Sequence, residues 1–129
     1  MPTMEKPLLR WVEVLKALAH PVRLRLLALV AREELCVCQL TAVVGLATST
    51  VSSHLGALRR AKLVSERKDG RWVYYSLAPL APEVKPIVET LLVRLDGDPQ
   101  TIQDRELVAK LQGLPLEELS SKGRRAFSS

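Results

Sequence analysis

Cys36 and Cys38 flank a single valine and are the only thiols in the chain. Thiolates select soft, thiophilic ions, and paired cysteines in a reducing compartment serve metal binding or redox chemistry more often than structure. On a regular helix, residues i and i+2 point about 200° apart, so two such sulfurs cannot share one ion. On extended backbone they point the same way. The spacing therefore predicts that capture of a soft atom requires or stabilises an unwound start to the helix beginning near Cys38. Two other readings stand beside it: a pair of small buried hydrophobes, and a redox switch, for which the chain has no third cysteine as a resolving partner. A disulfide between cysteines this close makes a strained, tiny loop that staples nothing.

A second group of residues carries a different chemistry. Ala47 to Ala61 reads as a helix whose buried side is Val51, Leu55 and Leu58. That places Ser49, Ser53, Gly56 and Arg60 on the opposite side, with Ser52 beside them. A small, hydroxyl-rich face can sit deep in the major groove of DNA, where Ser49, Thr50, Ser52 and Ser53 bond to bases or phosphates and Arg60 reaches backbone or guanine. Serine and threonine are indifferent helix formers, which disfavours the alternative of a merely solvated helix. His54 lies off the outward face, as a packing or phosphate-facing residue.

The charge follows the same region. The net charge is +5, and the thirteen residues from Arg59 to Arg71 carry +4 of it through Arg59, Arg60, Lys62, Arg67, Lys68 and Arg71. Clustering of this kind suits a polyanion touching one edge of the molecule. Arg67, Lys68 and Arg71 flank a hairpin tip, where they straddle the minor groove or contact phosphates; charge that guards an edge strand against aggregation is the alternative.

The elements that must position these residues can be read from periodicity. Pro7 to Ala19 is a helix with an apolar stripe of Leu8, Leu9, Val12, Leu15 and Leu18. His20 caps or orients a second helix begun by Pro21 and ending near Arg32. Cys38 to Val44 is a short helix closed by Gly45, which leads into the Ala47 to Ala61 helix as a helix-turn-helix. Leu63 to Lys68 and Arg71 to Leu77 form a hairpin around Asp69-Gly70. Pro82 to Asp96 is a long helix followed by the breakers Gly97 and Pro99, with a weaker helix from Asp104 to Leu111 and a disordered tail from Ser120. The fold class is mainly α with a β-hairpin wing: a winged helix-turn-helix over residues 1–96, with a partly helical extension over 97–129. The first and last helices carry more apolar surface than so small a core covers, which predicts a two-fold dimer.

The 129 residues allow one domain with arms. No apolar run approaches the length of a membrane span and nothing resembles a secretory signal, so the expected location is the cytoplasm. No phosphate-cradling glycine loop, nucleophile elbow or catalytic set is found, so an enzyme is not expected. An architectural DNA binder and a winged-helix module for protein contacts are the competing classes.

Five segments taken in order resemble the ArsR/SmtB family of bacterial metalloregulators: 15–24 (LKALAHPVRL), 34–40 (ELCVCQL), 49–55 (STVSSHL), 58–64 (LRRAKLV) and the Asp69-Gly70-Arg71 hairpin. The resemblance spans about Leu8 to Leu95. It implies a homodimer that represses a resistance operon and leaves double-stranded operator DNA on metal binding, with Cys36 and Cys38 as an arsenite or antimonite site. Thr41 stands where arsenic-type members carry a third cysteine, and Lys62 where the family's Ala-Gly-Leu-Val turn has glycine. The helix after Pro82 lacks the Asp-X-His and His-X-X-Glu pattern of zinc-sensing relatives. No cofactor is required; the expected inducer is trivalent arsenic or antimony, as arsenite, antimonite or methylarsenite.

Overall fold

The computed structural model describes residues 2–122, and side chains over 7–121. Helix α1 spans Pro2–Leu18, α2 Pro21–Val30, α3 Val37–Val44, α4 Thr48–Arg60, α5 Lys85–Asp96, α6 Pro99–Leu111 and α7 Leu116–Lys122. Strands β1 (Leu35–Cys36), β2 (Val64–Asp69) and β3 (Trp72–Leu77) form an antiparallel sheet in the order β1-β3-β2.

Capping residues set the helix starts. The Nδ1 atom of His20 accepts from the Val22 amide at 3.1 Å, so His20 caps α2 as its position before Pro21 predicts. Gly45 ends α3 in the left-handed region at φ 73°. Lys62 also stands left-handed, at φ 63°, where α4 turns into β2. That backbone is why a glycine suits the position, and Lys62 holds it despite the steric cost of a Cβ there. At the hairpin tip Gly70 takes φ 61°, and β2 and β3 pair from Asp69 with Trp72 to Val64 with Leu77.

Leu26 and Leu27 from α2, Leu40 and Val43 from α3, Val51, Leu55 and Leu58 from α4, and Leu63 make one buried cluster. Each of these side chains stabilises the fold by about 1.5–3 kcal/mol through removal from water. Together they clamp the helix-turn-helix onto α2.

Four features differ from the sequence reading. A third strand, β1, precedes α3, because Leu35 and Cys36 pair with Tyr75 and Tyr74 of the wing. Helix α5 begins at Lys85 rather than Pro82, since 82–84 form a turn. Pro99 does not break the chain but occupies the first turn of α6, while Asp98 caps it by accepting from the amides of Gln100 and Thr101 at 2.9 and 3.3 Å. Finally, Ser120 lies in α7 rather than a disordered tail, and Leu119 of that helix is 1% exposed in the core. Residues 123–129, where the sequence reading also places disorder, lie outside the described residues.

Candidate functional site: a thiol pair between helix and wing

Cys36 is the last residue of β1 and the residue before α3, with extended backbone at φ −74° and ψ 149°; Cys38 stands in the first turn of α3. Because the chain changes from strand to helix between them, the two free sulfurs converge at 3.0 Å. The unwinding that a helical Cys-X-Cys pair would need is therefore already built in. Gln39 fixes the junction, its side-chain oxygen accepting from the Cys36 amide at 2.8 Å.

The pair shares a proton unevenly. The Cys38 thiol donates to Cys36 and, together with the backbone amides of Cys38, Val73 and Gln39, pulls the Cys36 thiol down to about 6 against the opposing effect of burial. Cys38 is pushed up, first by that same hydrogen bond and then by burial and the neighbouring thiolate. Near neutral pH the site is thus one thiolate and one thiol. Backbone pairing of Cys36 with Tyr74 ties the site to wing strand β3.

Both cysteines line a cleft of about 530 Å³ bordered by α4 through Ser52, Gly56, Arg59 and Arg60, and by the wing through Arg71 and Trp72. The thiol pair therefore opens onto the surface predicted to read DNA. Ser49, Thr50, Ser52 and Ser53 are exposed along α4, while Val51, Leu55 and Leu58 are fully buried, as the helical wheel predicts. Arg59, Arg67, Lys68 and Arg71 are exposed on α4 and the wing; Arg60 is exposed too and has no carboxylate partner among the described residues.

His54 is placed differently from the rest. It is half-buried against α2, where its Nδ1 accepts from Arg23 Nε at 3.2 Å and its ring lies 4.3 Å from that of His20. Burial, His20 and Arg23 all lower its pKa. With Nδ1 serving as acceptor, the neutral ring carries its proton on Nε2.

Sequence reasoning missed the carboxylates. Glu34 takes Arg67 in a bidentate pair at 2.7 and 3.0 Å, Glu66 takes Arg59 at 3.3 Å, and Glu117 of α7 takes Arg71 at 3.0 Å. Arg67 and Arg71 also lie over the rings of Tyr74 and Trp72. Only Glu66 carried a local signal, since alternation along β2 places it on the same face as Val64; Glu34 and Glu117 reach the wing through β1 and α7. Among the described residues no group of three or more histidine, cysteine, aspartate or glutamate side chains could hold a metal ion. No helix among them is long and apolar enough to cross a membrane.

A helix-turn-helix whose second helix presents hydroxyls beside a basic hairpin defines a winged-helix DNA-binding protein. Residues 20–66 match the family model described as bacterial regulatory protein, arsR family. The chain is 46% identical to the arsenic resistance transcriptional regulator ArsR1 of Pseudomonas putida over 54% of its own length and 56% of that protein, so it spans little more than half of that relative. It is 34% identical to ArsR2 of the same organism, over 82% of this chain and 92% of that one. A solution structure described as the homodimeric winged helix-turn-helix DNA-binding domain of Mb0332 from Mycobacterium bovis superposes with a TM-score of 0.60 at 31% identity, covering 74% of this chain and 87% of that one. The chain belongs to the ArsR/SmtB family of transcriptional regulators.

Proposed function

We propose that this regulator is a repressor that holds operator DNA as a homodimer and releases it when Cys36 and Cys38 capture trivalent arsenic or antimony. The observation that carries the reading is the pair of free sulfurs 3.0 Å apart, opening onto a cleft walled by α4 and the wing. Two soft donors suit a thiophilic metalloid and fall short of the four ligands of structural zinc. The names of the two Pseudomonas relatives favour the same inducer.

Release follows from what the sulfurs already hold. Cys36 pairs with Tyr74, and Glu34 just before β1 holds Arg67 of the wing. Cys38 belongs to α3, the first half of the helix-turn-helix. An atom bonded to both sulfurs replaces the hydrogen bond between them and shifts β1 and α3 together, which moves the wing relative to α4. By linkage, the metalloid must bind the DNA-free shape more tightly, and DNA must weaken metalloid binding by the same factor. Dimerisation is supported by Leu8, Leu9 and Leu15 of α1 and Val93 of α5, all more than half exposed.

The sulfur spacing also favours a second reading. The Cys36 thiolate can attack a hydroperoxide, forming a sulfenic acid and releasing hydroxide; the Cys38 thiol then displaces water to give a disulfide. Cys38 is itself the resolving partner that the sequence reading lacked.

The test is fluorescence anisotropy on a duplex that the protein selects from a random pool, with arsenite, antimonite, methylarsenite, zinc or peroxide added in turn. Arsenite is expected to weaken binding by about 5- to 150-fold, the usual range of such coupling, and to do nothing to the Cys36→Ser, Cys38→Ser double variant. Unchanged wild-type affinity with every arsenical and antimonite sinks the proposal, and a response to peroxide alone selects the redox reading.

A further inference from the structure

The cleft is far larger than a captured atom needs. Its volume of about 530 Å³ falls within the roughly 300–1,000 Å³ typical of cavities that enclose whole organic ligands. A metalloid atom on the two sulfurs with one hydroxide would leave most of it empty. Trivalent arsenic forms three bonds, and the chain has two thiols.

The remaining wall is cationic. Arg59, Arg60 and Arg71 line the same cleft, with the ring of Trp72 beside them. Glu66 lines it too, but its oxygens are engaged by Arg59 at 3.3 Å and by the Tyr75 hydroxyl at 2.7 Å. Arg60 has no carboxylate partner among the described residues, and the Arg71–Glu117 pair is about two-thirds exposed on both sides and readily exchanged. Guanidinium groups bind carboxylates with paired hydrogen bonds.

We infer that the third bond of the captured arsenic is made to the sulfur of a small, carboxylate-bearing cellular thiol, whose acid groups rest on Arg60 and Arg71 in the cleft. The inference rests on the arsenical reading above. The reaction balances without an oxidant: arsenous acid, the Cys36 thiolate, the Cys38 thiol and one small thiol give three arsenic–sulfur bonds, two waters and one hydroxide. Two of the broken arsenic–oxygen bonds leave as water with a thiol proton, and the third leaves as hydroxide. The small thiol also places negative charge against arginines predicted to meet phosphate, which disfavours DNA while the arsenical is held.

Native mass spectrometry of the full chain tests this. The protein is mixed with arsenite and equal amounts of glutathione, the neutral 2-mercaptoethanol and the cationic cysteamine, and the mass of the adduct identifies the third ligand. Glutathione is expected to exceed cysteamine by at least about tenfold, the ratio that 1.4 kcal/mol of differential binding produces. The exposed double variant Arg60→Gln, Arg71→Gln is expected to keep the arsenic and lose most of that preference. An adduct carrying arsenic with hydroxide only, or a thiol chosen without regard to charge, overturns the inference while leaving the arsenical reading intact. No arsenic adduct at all overturns both.

Discussion

Arg25 and Asp104 meet in a bidentate pair at 2.9 and 3.0 Å, with the carboxylate 1% exposed and a further hydrogen bond from Gln100. At the wing Arg67 and Arg71 meet Glu34 and Glu117 at the surface. The chemistry is the same and the consequence is opposite. Asp104 joins α6 to α2 with its carboxylate closed off from water, so losing Arg25 strands that charge. The surface pairs cost little to break, because solvent screens them and hydrates both partners once apart. An arginine held that loosely is positioned for a phosphate without being committed to its carboxylate. The buried pair is thus a fastener, and the exposed pairs are exchangeable.

The largest effect that separates the two regions is Asp104→Asn. It is expected to lower unfolding free energy by about 2 kcal/mol, less than the full penalty for a broken buried pair because Arg25 keeps some access to water; urea denaturation measures it. DNA affinity of the folded fraction stays unchanged, and a loss of DNA binding without loss of stability would erase the distinction.

The converse variant, Arg67→Gln with Arg71→Gln, is expected to move stability by less than about 1 kcal/mol. It lowers DNA affinity about tenfold and flattens the dependence of log affinity on log salt by about 0.9 for each phosphate no longer neutralised. A urea shift as large as that of Asp104→Asn would show that the wing pairs are fasteners too.

The smallest effect is local to the thiols, whose cleft Arg71 lines. Alkylation by iodoacetamide is expected to rise with a midpoint near pH 6 as Cys36 ionises, and Cys38→Ala moves that midpoint up by removing the donor. The folded state holds Cys36 below its ordinary value of 9.0, so the stability it contributes is complete above that value and is lost as pH falls through about 6. A midpoint unmoved by Cys38→Ala would mean that the amides alone hold the thiolate.

Legibility from sequence differed by element. The buried side of α4 and its hydroxyl face followed from a period of 3.6, and the hairpin from Asp-Gly, because both signals are local in the chain. Pro99 shows how a local signal misleads. Read alone it is a breaker, yet with Asp98 before it as a cap it opens α6, just as His20 and Pro21 open α2. Helix α7 escaped notice because its sequence carries only Leu116 and Leu119 as apolar anchors, and they find their cover through contact of α7 with α3.

What the sequence determined by itself was the helix-turn-helix with its hairpin, the hydroxyl-bearing face of α4, and the identity of the two soft donors. Those depend on side-chain type and on spacing within one helix, hairpin or turn. The tertiary structure alone decided that the sulfurs meet without unwinding, that they open onto a cleft between α4 and the wing, and which arginines are locked and which are exchangeable. Each of these depends on residues up to 79 positions apart, or on a strand that exists only once β1 has found the wing, and no local pattern encodes such distances.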